Sequence, residues 1–162
     1  MGKKKNAYKP LSFESAGSSK VSASINLSMM LSPAWKQLSN NAISLYLHMK
    51  TQLFAVPYKD KPLNEYGEND RELFVFNRAM YTKVFPIFGN GEQFRRYSHE
   101  LIQYGFIELV ESGKFTRTKN VYRYSSNWKS WYEGKDFRPL PMQKHDSELE
   151  QKRKAKRQEP EQ

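Results

Sequence analysis

Glu92, Gln93, Arg95, Arg96, His99 and Gln103 fall within one short stretch of the chain, and each carries a group able to address a base edge. Arginine donates two parallel hydrogen bonds to guanine, glutamine pairs in the same manner with adenine, and a carboxylate accepts from cytosine. A second group follows: Lys114, Thr116, Arg117 and Lys119 are cations and hydroxyls suited to phosphate oxygens. Asn90, set between Gly89 and Gly91, can open a helix whose free backbone amides also attract phosphate. The expected base-reading set is therefore Gln93, Arg95, Arg96, His99 and Gln103. The expected backbone set is Asn90, Lys114, Thr116, Arg117 and Lys119. Each set alone also fits an ordinary solvated surface, so the elements that carry them decide.

Other chemistry finds less support. His48, His99 and His145 are far apart in sequence, with no His-x-His of the kind a metal-dependent nuclease uses. There is no cysteine, which removes disulfides and thiolate metal sites. No Gly-x-x-x-x-Gly-Lys follows Gly89, so a nucleotide phosphate loop is not expected. Nothing near any of the 10 tyrosines would activate one as a nucleophile. No enzyme activity, metal or cofactor is expected.

The elements that must position the two sets can be read in order. Ser32-Pro33 is a helix start, with serine as cap and proline at the first helical position. Ser39 caps a longer helix in which Ala42, Leu45, Tyr46, Met49 and Leu53 recur at helical spacing. His48 on that helix reads as a structural histidine. A polar loop at 57–72 follows, with five acidic residues that would repel DNA; it is expected to lie away from the binding surface or to move. Phe74 to Phe76 reads as a short strand. Asn77 can cap a second helix that Pro86 ends, because the residue before proline is pushed out of the helical region.

Asn90 then caps a helix from Gly91 to Tyr104, and Gly105 suits the left-handed position that ends helices. At about 100° per residue, Phe94, Tyr97, Ser98, Leu101 and Tyr104 share one side of it. Glu92, Arg96, His99 and Gln103 share the other, with Arg95 flanking. Strands at Phe106–Val110 and Val121–Tyr124 enclose the loop that carries the second cation group. Trp128 and Trp131 are expected to cover the open end of the core. The expected fold is α+β, mainly α: a winged helix-turn-helix with a small antiparallel β-hairpin wing.

The organisation is a basic, Ser-rich tail over 1–24, expected to be disordered, a single domain over 25–132, and a charged tail over 133–162. In that last tail Glu148 with Lys152 and Glu150 with Lys154 could support a transient helix. The formal charge is +10, more than solubility requires, which points to a polyanionic partner. It is not confined to the tails: seven Lys/Arg face four Glu between Gly89 and Lys129. No apolar run approaches membrane-spanning length, the lysines near Met1 lack a following apolar region, and Asn6 spoils a myristoylation motif. A cytoplasmic protein with double-stranded DNA as partner and no membrane association is expected. Other replication or transfer proteins are further candidate partners.

Two segments resemble winged-helix proteins of Gram-positive mobile elements and, more loosely, the N-terminal domains of plasmid replication initiators. They are "LSPAWKQLSNNAISLYLHMK" from Leu31 to Lys50 and the stretch from Phe74 to Tyr124, which includes "FRRYSHELIQYGFIELVESGKF" and "NVYRYSSNW". In that family a Leu-Ser-x-x-Ala-x-x-Leu-Tyr helix precedes a strand and helix-turn-helix, and a Glu-Leu-x-x-x-Gly-Phe/Leu-Ile junction leads into the wing. Leu38-Ser39, Ala42, Leu45-Tyr46, Glu100-Leu101 and Gly105-Phe106-Ile107 fit the pattern, and about 70 of the 162 residues are covered. The resemblance implies sequence-specific duplex DNA binding in replication, transfer or transcription. The chain has no sizeable second domain of the kind initiators carry, so an accessory or regulatory role is implied. A protein-interaction module on the same scaffold is the alternative.

Overall fold

The computed structural model describes residues 23–77, 91–113 and 119–158. Among them five α-helices and a three-stranded antiparallel sheet form an α+β fold. Two single-turn helices come first, α1 (Leu27–Met30) and α2 (Pro33–Lys36). The Ser32 hydroxyl accepts from the Trp35 amide, with Pro33 at the first helical position, as the sequence predicts. The main helix α3 (Asn40–Ala55) opens with the Ser39 hydroxyl accepting from the Ala42 amide. Ala42, Leu45, Tyr46 and Met49 are buried as the periodicity implies, while Leu53, the last of the expected face, is only half-buried.

The loop at 57–72 is packed rather than loose. It makes a 3-10 turn at Tyr58–Asp60, and Lys61 is buried with its ammonium donating to the Gln52 carbonyl at 2.6 Å. The Asn64 carboxamide oxygen accepts from the amides of Tyr66 and Glu68, both at 3.0 Å, and Leu63 bridges Asn69. Of the two expectations for this loop, a position away from the binding surface or mobility, these local side-chain-to-backbone bonds bear on the second, and composition does not reveal them.

Strand β1 (Leu73–Val75) begins one residue earlier than expected. The helix expected after Asn77, its turn and Asn90 lie outside the described residues. Helix α4 (Gly91–Gln103) buries Phe94, Tyr97, Ser98, Leu101 and Ile102; this matches the expected apolar side with Ile102 added, while Tyr104 falls just past the helix end and is half-buried. Gly105 then adopts φ +79°, its amide donating to the Ile102 carbonyl while the Phe106 amide donates to that of Leu101. These two crossed bonds define a Schellman end. They hold Phe106 in the turn, which is why β2 runs over Ile107–Glu111 and starts one residue late.

β3 (Val121–Tyr124) pairs antiparallel with both neighbours, giving the order β1-β3-β2. Phe74 faces Tyr122 across one ladder and Leu109 faces Tyr122 across the other; the second ladder is irregular between Leu109 and Glu111. The Tyr124 hydroxyl donates to the Met49 carbonyl at 2.5 Å, tying the sheet to α3. Trp128 is buried over Phe106, and Trp131 packs edge-on against Tyr104 at 5.4 Å, so both cover the core as expected.

The charged segment expected as a tail contains a 19-residue helix, α5 (Leu140–Gln158). Its approach is fixed before it begins: Arg138 is clamped by the Asp136 carboxylate, and the Phe137 amide donates to the Gln103 carbonyl at 3.1 Å.

Candidate nucleic-acid interface

Burying Phe94, Tyr97 and Leu101 turns the other side of α4 outward. Arg95 and Arg96 are exposed there, while Gln93, His99 and Gln103 are half-buried. The base-reading set thus shares one helix but does not share one environment. Arg96 leans towards α3. Its guanidinium lies 4.8 Å from the Tyr97 ring centre and donates to the Tyr97 hydroxyl at 3.0 Å. The same hydroxyl accepts from the Asn41 carboxamide at 2.8 Å.

Arg95 and His99 turn the opposite way, towards α5. Arg95 Nη1 lies 3.3 Å from His145 Nε2, and His99 Nδ1 lies 3.3 Å from Asp146 Oδ2. Arg138 Nη1 also donates to Asp146. His145 Nδ1 stands 3.7 Å from the other Asp146 oxygen, so two histidines far apart in sequence meet at one carboxylate. A neutral His99 facing a carboxylate through Nδ1 carries its proton there, which leaves Nε2 as an acceptor. Among the described residues no group of three or more His, Asp or Glu is arranged to hold a metal ion.

Between these two directions lies a cleft of about 630 Å³, bordered by Gln37 and Ser39 on one wall, Arg95 and Arg96 on the floor, and Arg138 and Glu150 on the other wall. Glu100, at the edge of the cleft, is structural. Its carboxylate accepts from both the Ser39 amide and the Ser39 hydroxyl at the start of α3. An anion at a helix N-terminus is favoured by the helix dipole. The Glu-Leu part of the resemblance motif is thereby a packing device.

Of the backbone set, Lys119 is exposed just before β3. Asn90, Lys114, Thr116 and Arg117 lie outside the described residues. The base of their loop is closed: the Asn120 carboxamide accepts from the Gly113 amide at 2.9 Å and donates to the Tyr122 hydroxyl at 3.0 Å. Sequence reasoning missed Asn41, Asn120, Arg138 and Asp146. Only Asn120, a polar residue directly before a strand, left a local signal.

No family model, curated protein or solved structure matches this chain. The site is read from its own chemistry. Among the described residues no helix is long and apolar enough to cross a membrane.

One property of the interface is measurable directly. Burial lowers the pKa of His99, with Asp146 partly offsetting the effect, and burial lowers that of His48 on α3. Both rings stay neutral in the folded protein at pH values where the unfolded chain, with imidazole pKa about 6.5, takes up protons. The unfolded state then binds more protons, so stability should fall as pH drops through about 6.5. Chemical denaturation across a pH series checks this; a flat profile down to about pH 5.5 would contradict it.

Proposed function

We propose that this protein binds duplex DNA as a winged helix, with α4 as recognition helix and the β2–β3 hairpin as wing. The observation that carries the reading is the sheet order β1-β3-β2 with α4 leading straight into the hairpin, so that the exposed Arg95–Arg96 pair and the cationic loop lie on consecutive elements. A recognition helix followed by a basic loop is how such a fold addresses the major groove and the flanking backbone together. The +10 charge supports a polyanionic partner. The resemblance to mobile-element proteins supports a role in replication, transfer or transcription in the cytoplasm.

Binding of labelled duplexes over a salt series tests the reading. Affinity should drop steeply with salt, and absence of binding at low salt would end it. Replacing Lys114, Arg117 and Lys119 together by alanine should weaken binding to all duplexes alike. Each lost phosphate contact should flatten the slope of log affinity against log salt by roughly 1. An unchanged slope would take the wing off the DNA.

Arg96 is the sharper case. To reach a base it must leave the Tyr97 ring, a short rotation for an exposed side chain. Arg96→Ala should cost about 1 to 3 kcal/mol on the cognate site and much less on scrambled DNA. Gel shifts on both duplexes at one salt concentration separate a base contact from a phosphate contact, for which the losses are equal. No loss on either would leave Arg96 as a packing partner of Tyr97 alone.

A second reading, a protein-interaction module, is favoured by one observation: part of the α4 face already receives a helix, through Arg95–His145 and His99–Asp146. Salt-sensitive capture of duplex DNA distinguishes the first reading from the second.

A further inference from the structure

The contact between α5 and α4 has a form that the DNA-binding reading leaves unused. None of the described side chains of α5 is buried; Met142, Asp146 and Leu149, spaced as one helical stripe, are half-buried towards the body of the protein. Met142 packs against the core cluster. Asp146 makes the polar contacts: it receives Arg138, faces His99 at 3.3 Å and stands beside His145, which itself meets Arg95. A carboxylate is thus presented to the cationic side of α4.

We propose that α5 is a built-in occupant of the α4 face, a strap that duplex DNA must displace, with the Asp146 carboxylate standing in for a nucleic-acid oxygen. The inference rests on the DNA-binding reading of α4. Its physical basis is competition. Arg95 and His99 cannot satisfy Asp146 and His145 and contact DNA at once, so attachment of the strap and binding of DNA oppose each other through a reciprocal coupling. A helix held by two half-buried apolar side chains and a few polar contacts is weakly fastened, which makes the exchange reversible. The strap also brings its own cations. Lys152, Arg153, Lys154, Lys156 and Arg157 follow in its sequence, so truncation would remove charge along with the strap and is the wrong test.

The test uses the full chain and three variants. Asp146→Asn removes the carboxylate. Met142→Ser loosens the strap without changing charge. Glu133→Gln removes an acid from an exposed turn ahead of the strap. Affinity for one labelled duplex at fixed salt should rise on the order of tenfold for the first two and stay near the parent for the third. Because the chain has no cysteine, Ser147→Cys on α5 and Lys36→Cys on α2 allow a pair of spin labels. Their distance should lengthen or broaden when duplex is added, and in the Asp146→Asn background without it. Equal gains for Asp146→Asn and Glu133→Gln would reduce the effect to net charge and overturn the strap. A parent that binds duplex with no change in label distance would overturn the strap and leave DNA binding standing. If neither the parent nor any variant binds duplex at low salt, the DNA reading falls and the strap falls with it.

Discussion

Replacing Phe106 by alanine should remove about 3 to 5 kcal/mol of stability, the usual cost of emptying a large aromatic site in a core. Phe106 has no exposed surface. It meets Trp35 edge-on at 5.7 Å and Tyr46 edge-on at 5.5 Å, and it lies parallel to Trp128 at 6.1 Å. Those rings come from α2, α3 and the turn after β3, so one side chain joins three parts of the molecule. Edge-to-face pairs add about 0.5 to 1.5 kcal/mol each beyond area burial. A domain of this size has a total stability of about 5 to 15 kcal/mol, so the loss is a large share of the whole. Phe106→Leu keeps most of the volume and should lose much less. Urea denaturation of both variants checks the pair; an alanine variant as stable as the leucine one would mean that Phe106 is not the hinge of this cluster.

Gly105→Ala should be nearly as damaging, for a different reason. The position has φ +79°, where a side chain costs about 1 to 2 kcal/mol. A Cβ there would also lie 2.7 Å from the Trp128 nitrogen and 2.8 Å from Asn127 atoms, and backbone cannot step aside cheaply. Overpacking of this kind adds about 1 to 3 kcal/mol. Gly134 is the internal control: it has φ +87° with nothing within 4 Å of the added Cβ. Gly134→Ala should therefore cost only the conformational part. Thermal melts that find the two alanine variants equally destabilised would mean that the turn after α4 is not pressed against Asn127–Trp128.

The sequence made some of this legible and hid the rest for definable reasons. Helices α3 and α4 have apolar side chains at regular spacing, so their buried faces could be assigned, and Ser32, Ser39 and Gly105 act on their immediate neighbours. Val121–Tyr124 was bounded correctly because turn residues flank it. What stayed hidden depends on polar side chains meeting across long stretches of chain. The Asn41–Tyr97–Arg96 series, Glu100 on Ser39 and the Asp146 contacts have no period, and any of these residues would look solvated in isolation. The charge pairs of the last segment imply only a transient helix, because the inward stripe of α5 mixes Met142 and Leu149 with Asp146, too little apolar character to register as a face. Gln93, Arg95, Arg96, His99 and Gln103 share one helix, as their spacing implies, but the division into an α3-directed Arg96 and an α5-directed Arg95 and His99 required coordinates.

The irregular pairing between Leu109 and Glu111 changes how β2 must be counted. Along a regular strand every second side chain faces the same way, so Ile107, Leu109 and Glu111 would share the core side and bury a carboxylate. The extra residue at Val110 inverts that parity: Glu111 takes the place opposite Val121 that Val110 would have held. The acid is thereby turned out to water, where it is exposed. A single unpaired residue thus keeps the Glu111 carboxylate out of the core.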